Sequence, residues 1–183
     1  MAPCRDVDGH AATRPDPSFL YAAYPLNADH PNLVRVRAYA AARSVTIDVK
    51  RFARSTRTAE DAAREIGTDV ARIVKSLVFI AKSDPVVALC SGQGRVDETR
   101  LAAALGVPTV RRATADEAKT FTGYAIGGVP PFAHATACRV VADEALLSFD
   151  EVWAAAGLPD AVFAIATRDL VRLSEATVAH LAA

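Results

Sequence analysis

IVKSLVFIA, residues 73–81, followed by KSDP, residues 82–85, and VVALCS, residues 86–91, is the stretch whose reading decides the fold. Two apolar runs rich in β-branched residues, separated by four turn-forming residues, predict a hairpin of two strands over Ile73–Ala81 and Val86–Ser91. Neither run is long enough for a membrane span.

Working outward, Thr58 precedes AEDAAREIG, with Asp61 in the first turn and Gly67 after the last apolar residue, so a helix is expected over about Ala59–Ile66. Asp97 can cap a helix that ends at Gly106, and Thr114 one near Ala115–Thr120. The three- and four-residue apolar steps between Pro31 and Arg43 predict another helix, and the alternation of Val45, Ile47 and Val49 a half-buried strand. Further strands are expected around Thr109–Arg111, Cys138–Val141 and Val162–Ala166, a helix around Phe149–Ala156, and a C-terminal helix from near Ser174. Helices and strands intermix without regular βαβ alternation, so the fold class is mixed α+β, with a mixed sheet of about six or more strands surrounded by helices. Residues 1–27 hold four prolines and no apolar periodicity, which reads as an N-terminal arm ahead of one domain over 28–183.

Bulk properties bound the function. A 183-residue chain that is 51% hydrophobic can bury one full core. Its opening has no apolar stretch of signal-peptide type, and the expectation is a cytoplasmic protein without membrane attachment. Three cysteines and four histidines are scattered without metal-ligand spacing, so neither a metal nor another cofactor is expected. Net charge is zero, yet seven basic residues (Arg35, Arg37, Arg43, Lys50, Arg51, Arg54, Arg57) face Asp48 alone between Pro31 and Thr58. That segment suits a phosphate backbone and equally suits a solvated face.

Two features carry chemistry. Lys75 interrupts the apolar face formed by Ile73, Leu77 and Phe79. It either holds an anion or a polarised carbonyl, or runs its stem along the sheet edge to water. The run TGYAIGGVPPFAH, residues 122–134, has glycines that let backbone approach a ligand and prolines that stiffen the loop. Rigid amides of that kind suit oxyanion stabilisation, and a purely structural double turn is the other reading. His134 is a base, a polar wall or a structural residue beside Phe132. Gly92-Gln93-Gly94 lacks the remaining features of a nucleotide fingerprint or phosphate loop, and no GxSxG nucleophile elbow is present.

In order along the chain, RTAEDAAREIG, IVKSLVF, SGQGRVDETRLAAALG and TGYAIGGVPPFAH resemble the signature segments of the YbaK/prolyl-tRNA-synthetase-associated editing domains, from about Asn32 onward. The resemblance implies an aminoacyl-tRNA deacylase that hydrolyses the ester of a mischarged tRNA, most often tRNA for proline carrying Ala, Ser, Thr or Cys. The sequence holds little beyond that module, so a free-standing enzyme is expected. Its partners would be the mischarged acceptor end and prolyl-tRNA synthetase. Lys75, Gly127 and Gly128 take the catalytic positions in this resemblance. Thr58, Ser76, Gly123, Tyr124, Val129, Pro130, Pro131 and His134 take substrate-binding ones. It further implies attack by water, helped by the substrate's ribose hydroxyl. Ala133 departs from the glycine usual at that position. A non-catalytic binding module of the same fold, or a hydrolase of another small acyl ester, are the rival readings.

Overall fold

The computed structural model describes residues 30–52 and 58–183. The proline-rich arm, Arg54 and Arg57 lie outside the described residues.

Local signals set most elements. α1 (Pro31–Ala41) starts with proline at its first position and buries Leu33, Val36 and Ala40 along one stripe. A short strand, β1 (Val49–Arg51), follows. α2 (Ala59–Ile66) is capped by the Thr58 hydroxyl and ends at Gly67, whose φ of 78° is the left-handed conformation glycine adopts without penalty. β2 (Val74–Ala81) and β3 (Asp84–Ser91) form the hairpin, in register from Val74↔Ser91 to Ala81↔Asp84. α3 (Glu98–Leu105) is capped by Asp97, and β4 (Arg111–Arg112) is a two-residue edge strand. α4 (Ala115–Thr122) opens with a reciprocal capping box between Thr114 and Glu117. β5 (Arg139–Asp143), β6 (Glu151–Ala155), β7 (Ala161–Ala166), α5 (Thr167–Ser174) and β8 (Thr177–Ala179) complete the order.

The strands form a five-stranded sheet, β4-β2-β3-β5-β8, and a three-stranded sheet, β1-β7-β6. β5 runs parallel to both β3 and β8, and the other pairings are antiparallel, so the architecture is mixed α+β as expected. β3 is central and buried on both faces. Its Val87 and Leu89 enter one core with Phe132 and Phe163, and Val86, Ala88 and Cys90 enter a second under α3. A single parallel bridge, Ile73↔Trp153, joins the start of β2 to β6. That bridge sets Lys75 and Ser76 beside the second sheet.

Four sequence expectations are corrected. Phe149–Ala156 is not a helix: it contains β6, in which Val152 and Ala154 are buried and alternate with Glu151, Trp153 and Ala155. Alanine-rich composition favours a helix locally, but pairing with β7 and burial of alternate residues decide for a strand. The C-terminal helix ends at Ser174 instead of beginning there, because Leu170 and Leu173 are the buried pair and Glu175 turns the chain at φ 52°. Of the alternating run from Val45, only Val49–Arg51 finds a partner strand, β7. The strand expected at Thr109–Arg111 is Arg111–Arg112, where the backbone meets Phe79 and Ile80 of β2. No helix among the described residues is long and apolar enough to cross a membrane.

Candidate functional site

Lys75 is the second residue of β2 and half-buried. Its ammonium donates to the carbonyl oxygens of Gly92 at 3.0 Å and Gly94 at 2.5 Å. A lysine carries three donors, so one stays without a protein partner among the described residues. The Gly92-Gln93-Gly94 turn that lacked a nucleotide motif is therefore the seat of this lysine. Gly92 itself is pinned by its N–H to the Ile73 oxygen at 2.7 Å. A Cβ there would lie 2.4 Å from the Val70 carbonyl oxygen, so only glycine fits.

Lys75 lines a cavity of about 380 Å³ together with Ser76, the first turn of α2, Gly127, Trp153 and Leu158. Its polar groups come from separate elements. The Ser76 hydroxyl is buried and has no hydrogen-bond partner among the described residues. Leaving such a group unsatisfied costs about 1–3 kcal/mol, which a polar ligand would recover. At α2, the Thr58 hydroxyl accepts the Asp61 N–H at 3.1 Å, leaving the Ala59 and Glu60 amides at the positive end of the helix dipole. Gly127 is exposed with φ 88°, and its N–H makes no hydrogen bond among the described residues. Val129, Leu158 and Val162 give the cavity apolar walls.

Of the sequence-derived site residues, this cavity collects Lys75, Ser76, Thr58, Gly127 and Val129. It does not collect the other six. Gly128 is buried against the Leu158 backbone, which a Cβ would meet at 2.9 Å, and its N–H is spent on the Ala125 oxygen at 3.0 Å. Gly123, φ 81°, ends α4. Tyr124 is fully buried: its hydroxyl accepts from Arg35 Nε at 2.7 Å and donates to the Ala133 oxygen at 2.9 Å. Pro130 and Pro131, within the loop, are buried and do not line this cavity. His134 lines a different cavity, of about 520 Å³, with Phe132, Cys138 and Arg139. Its Nε2 donates to the Pro130 oxygen at 2.9 Å, and burial holds the ring's pKa below its ordinary value. Ala133 stands at φ 64°, a backbone region that favours glycine.

Neither described thiol is activated. Burial pushes Cys90 up against the opposing pull of the Lys75 charge, and burial likewise raises Cys138. Among the described residues no three His, Cys, Asp or Glu side chains cluster in a way that could hold a metal. Sequence reasoning missed Trp153, Leu158 and Gly92. For Trp153 the sequence held no signal, because the run over residues 152–156 is apolar throughout and its alternating burial appears only in the folded structure.

The family model described as aminoacyl-tRNA editing domain matches residues 53–173. YwhH, an uncharacterised protein of Bacillus subtilis (strain 168), is 32% identical over 128 residues, covering 69% of this chain and 81% of that protein. The proline–tRNA ligase of Lactobacillus helveticus (strain DPC 4571) is 32% identical over 112 residues, 61% of this chain but only 20% of the ligase. A crystal structure described as a candidate trans-editing enzyme for prolyl tRNA synthetase superposes with a TM-score of 0.80 at 39% identity, covering 85% of this chain and 99% of that one.

Proposed function

The chain belongs to the aminoacyl-tRNA editing domain family, and from that premise we propose that it is a deacylase, acting in trans, that hydrolyses the ester of a mischarged tRNA. The tRNA for proline bearing alanine, serine, threonine or cysteine is the substrate in this reading, supported by the likeness to a proline–tRNA ligase segment and to a candidate prolyl trans-editing enzyme.

One observation carries the proposal. The free Lys75 donor, the α2 amides, the Gly127 N–H and the unpartnered Ser76 hydroxyl converge on one small cavity with apolar walls. In the reaction, water adds to the ester carbonyl, the carbonyl oxygen gains negative charge, and the C–O bond to the ribose breaks. A proton passes to the departing ribose oxygen, giving free amino acid and uncharged tRNA. Donors held in place before the reaction stabilise the developing oxyanion without reorganising. Lys75 is held by two carbonyls, and Gly127 by its turn. Ser76, deep on the wall, is placed to meet a polar atom of the bound aminoacyl group. The protein's contribution is positioning and electrostatics.

A panel of tRNAs mischarged with the four amino acids tests this. The native protein should release at least one of them, and Lys75→Ala should slow release by about 10²–10³, the loss typical of one oxyanion donor. No release from any member of the panel at stoichiometric protein overturns the enzyme reading. An undiminished rate in Lys75→Ala removes that residue from the mechanism.

One observation favours a holding module without turnover: the Gly128 amide is consumed within the loop, so the glycine pair offers one donor instead of two. The same panel separates the readings. A holding module would protect the ester from spontaneous hydrolysis instead of accelerating it.

A further inference from the structure

Trp153 is the single tryptophan of the chain. It is half-buried in β6 and lines the cavity that Lys75 and Ser76 share. Register places it among particular neighbours. Lys50 pairs with Val162, Ala155 also pairs with Val162, and Trp153 pairs with Ala164, so these five residues share one face of the three-stranded sheet. The opposite face, with Val152, Ala154, Phe163 and Ile165, is core. The shared face thus has a floor of small side chains, Ala155, Val162 and Ala164, with an indole standing on it. The Lys50 ammonium lies 4.6 Å from the indole centroid. Beside the same strand, Arg72 donates to the Glu151 oxygen at 3.2 Å.

We propose that Trp153, backed by Lys50, is the platform on which the nucleobase of the ester-bearing terminal nucleotide stacks. The inference rests on the deacylase reading, which puts the ester in this cavity, and extends it to how the nucleic acid is held. An aromatic ring paired with a cation is a sequence-tolerant seat for a base, because every base has a π-face and the nearby positive charge attracts its phosphate. Trp153 packs in part against the small apolar cluster of Ala62, Ala63 and Ile73, which fixes the indole in place. The rest of the ring stays half-exposed on the cavity wall, and an ester held near Lys75 carries its own nucleobase only a few bonds away.

Intrinsic fluorescence isolates the test, because all tryptophan emission comes from this residue. Uncharged tRNA for proline, with binding followed independently by anisotropy of a labelled copy, should change the emission on saturation. The same tRNA lacking its 3′-terminal nucleotide should bind with little change. An unaltered emission at saturation, or an equal change with the truncated tRNA, overturns the proposal. Trp153→Leu keeps apolar volume without a ring and should weaken tRNA binding by roughly 5- to 150-fold, the worth of one base–aromatic stack. Trp153→Phe should recover most of that loss and, retaining a ring in the same packing, guards against a folding artefact. Equal affinity of native and Leu proteins also overturns the stack. Uncharged tRNA requires no turnover, so failure of the stack and failure of the deacylase reading are seen separately.

Discussion

Gly92→Ala is the substitution whose consequence the structure works out most fully. A Cβ at this position would sit 2.4 Å from the Val70 carbonyl oxygen and 3.0 Å from both the Ala59 Cβ and the Val70 Cγ1. Cβ atoms do not approach other heavy atoms within 3.0 Å, so the turn and the short helical segment at Val70–Arg72 must separate by at least 0.6 Å. Overpacking of this kind costs about 1–3 kcal/mol. For a chain of this size each kcal/mol lowers the melting temperature by about 2–4 °C, so a fall of about 2–12 °C is expected by calorimetry. The site is hit independently of stability. The Gly92 carbonyl is one of the two that hold the Lys75 ammonium, and under the proposed deacylase reading displacing that ammonium by an amount approaching 1 Å costs roughly 100-fold in rate. Gly94→Ala is the matched control: its carbonyl also holds Lys75, but a Cβ there meets nothing closer than 3.5 Å. It should melt at the parent temperature or slightly above, since alanine restricts the unfolded chain, and should keep its rate within a few-fold. Single-turnover deacylation and melting of both variants give the comparison. A Gly92→Ala protein with the parent's melting temperature and rate would refute the close-packing argument, and an equal fall in Gly94→Ala would refute the assignment of the effect to Gly92.

Other outcomes follow from the charged and titrating groups. The Glu117 carboxyl is drawn down to about 2 by the Arg111 guanidinium, at 2.7 and 2.8 Å, and by the Thr114 N–H. A carboxylate depressed in the native state stabilises above its ordinary value of 4.5 and loses that contribution as pH falls toward about 2. Carboxyl NMR should show this low midpoint, and Glu117→Gln should flatten the acid limb of the stability curve in that window; an unchanged slope contradicts the pairing. His134 behaves in the opposite chemical sense but loses stability in the same direction. Its pKa is lowered by burial, so the unfolded chain takes up the proton first and stability falls as pH drops below 6.5. Imidazole NMR should give a midpoint below 6.5, and His134→Gln, which can still donate to the Pro130 oxygen, should keep deacylation within a few-fold. A loss of 100-fold or more there would return His134 to the chemistry.

What was legible in the sequence was whatever is settled within a few residues. Thr58, Asp97 and Thr114 cap their helices, and Gly67 and Gly106 end two of them, because capping bonds reach only two or three residues along the chain. The hairpin over residues 73–91 was legible for the same reason, and so was Lys75 as an anomaly on an apolar face. The partners of Lys75 were not legible, since they arrive only when β3 folds back and delivers the Gly92 and Gly94 carbonyls. Nor was the strand at Glu151–Ala155, whose alanines favour a helix until β7 supplies ladder partners and the core takes every second side chain. In the loop, composition signalled rigidity, but the approach of the Leu158 backbone decided that Gly127 reaches the cavity and Gly128 does not. Residue types and local bonds determined which groups with chemical potential exist in this protein. Contacts between segments distant in sequence, which no local pattern encodes, decided which of them share one cavity.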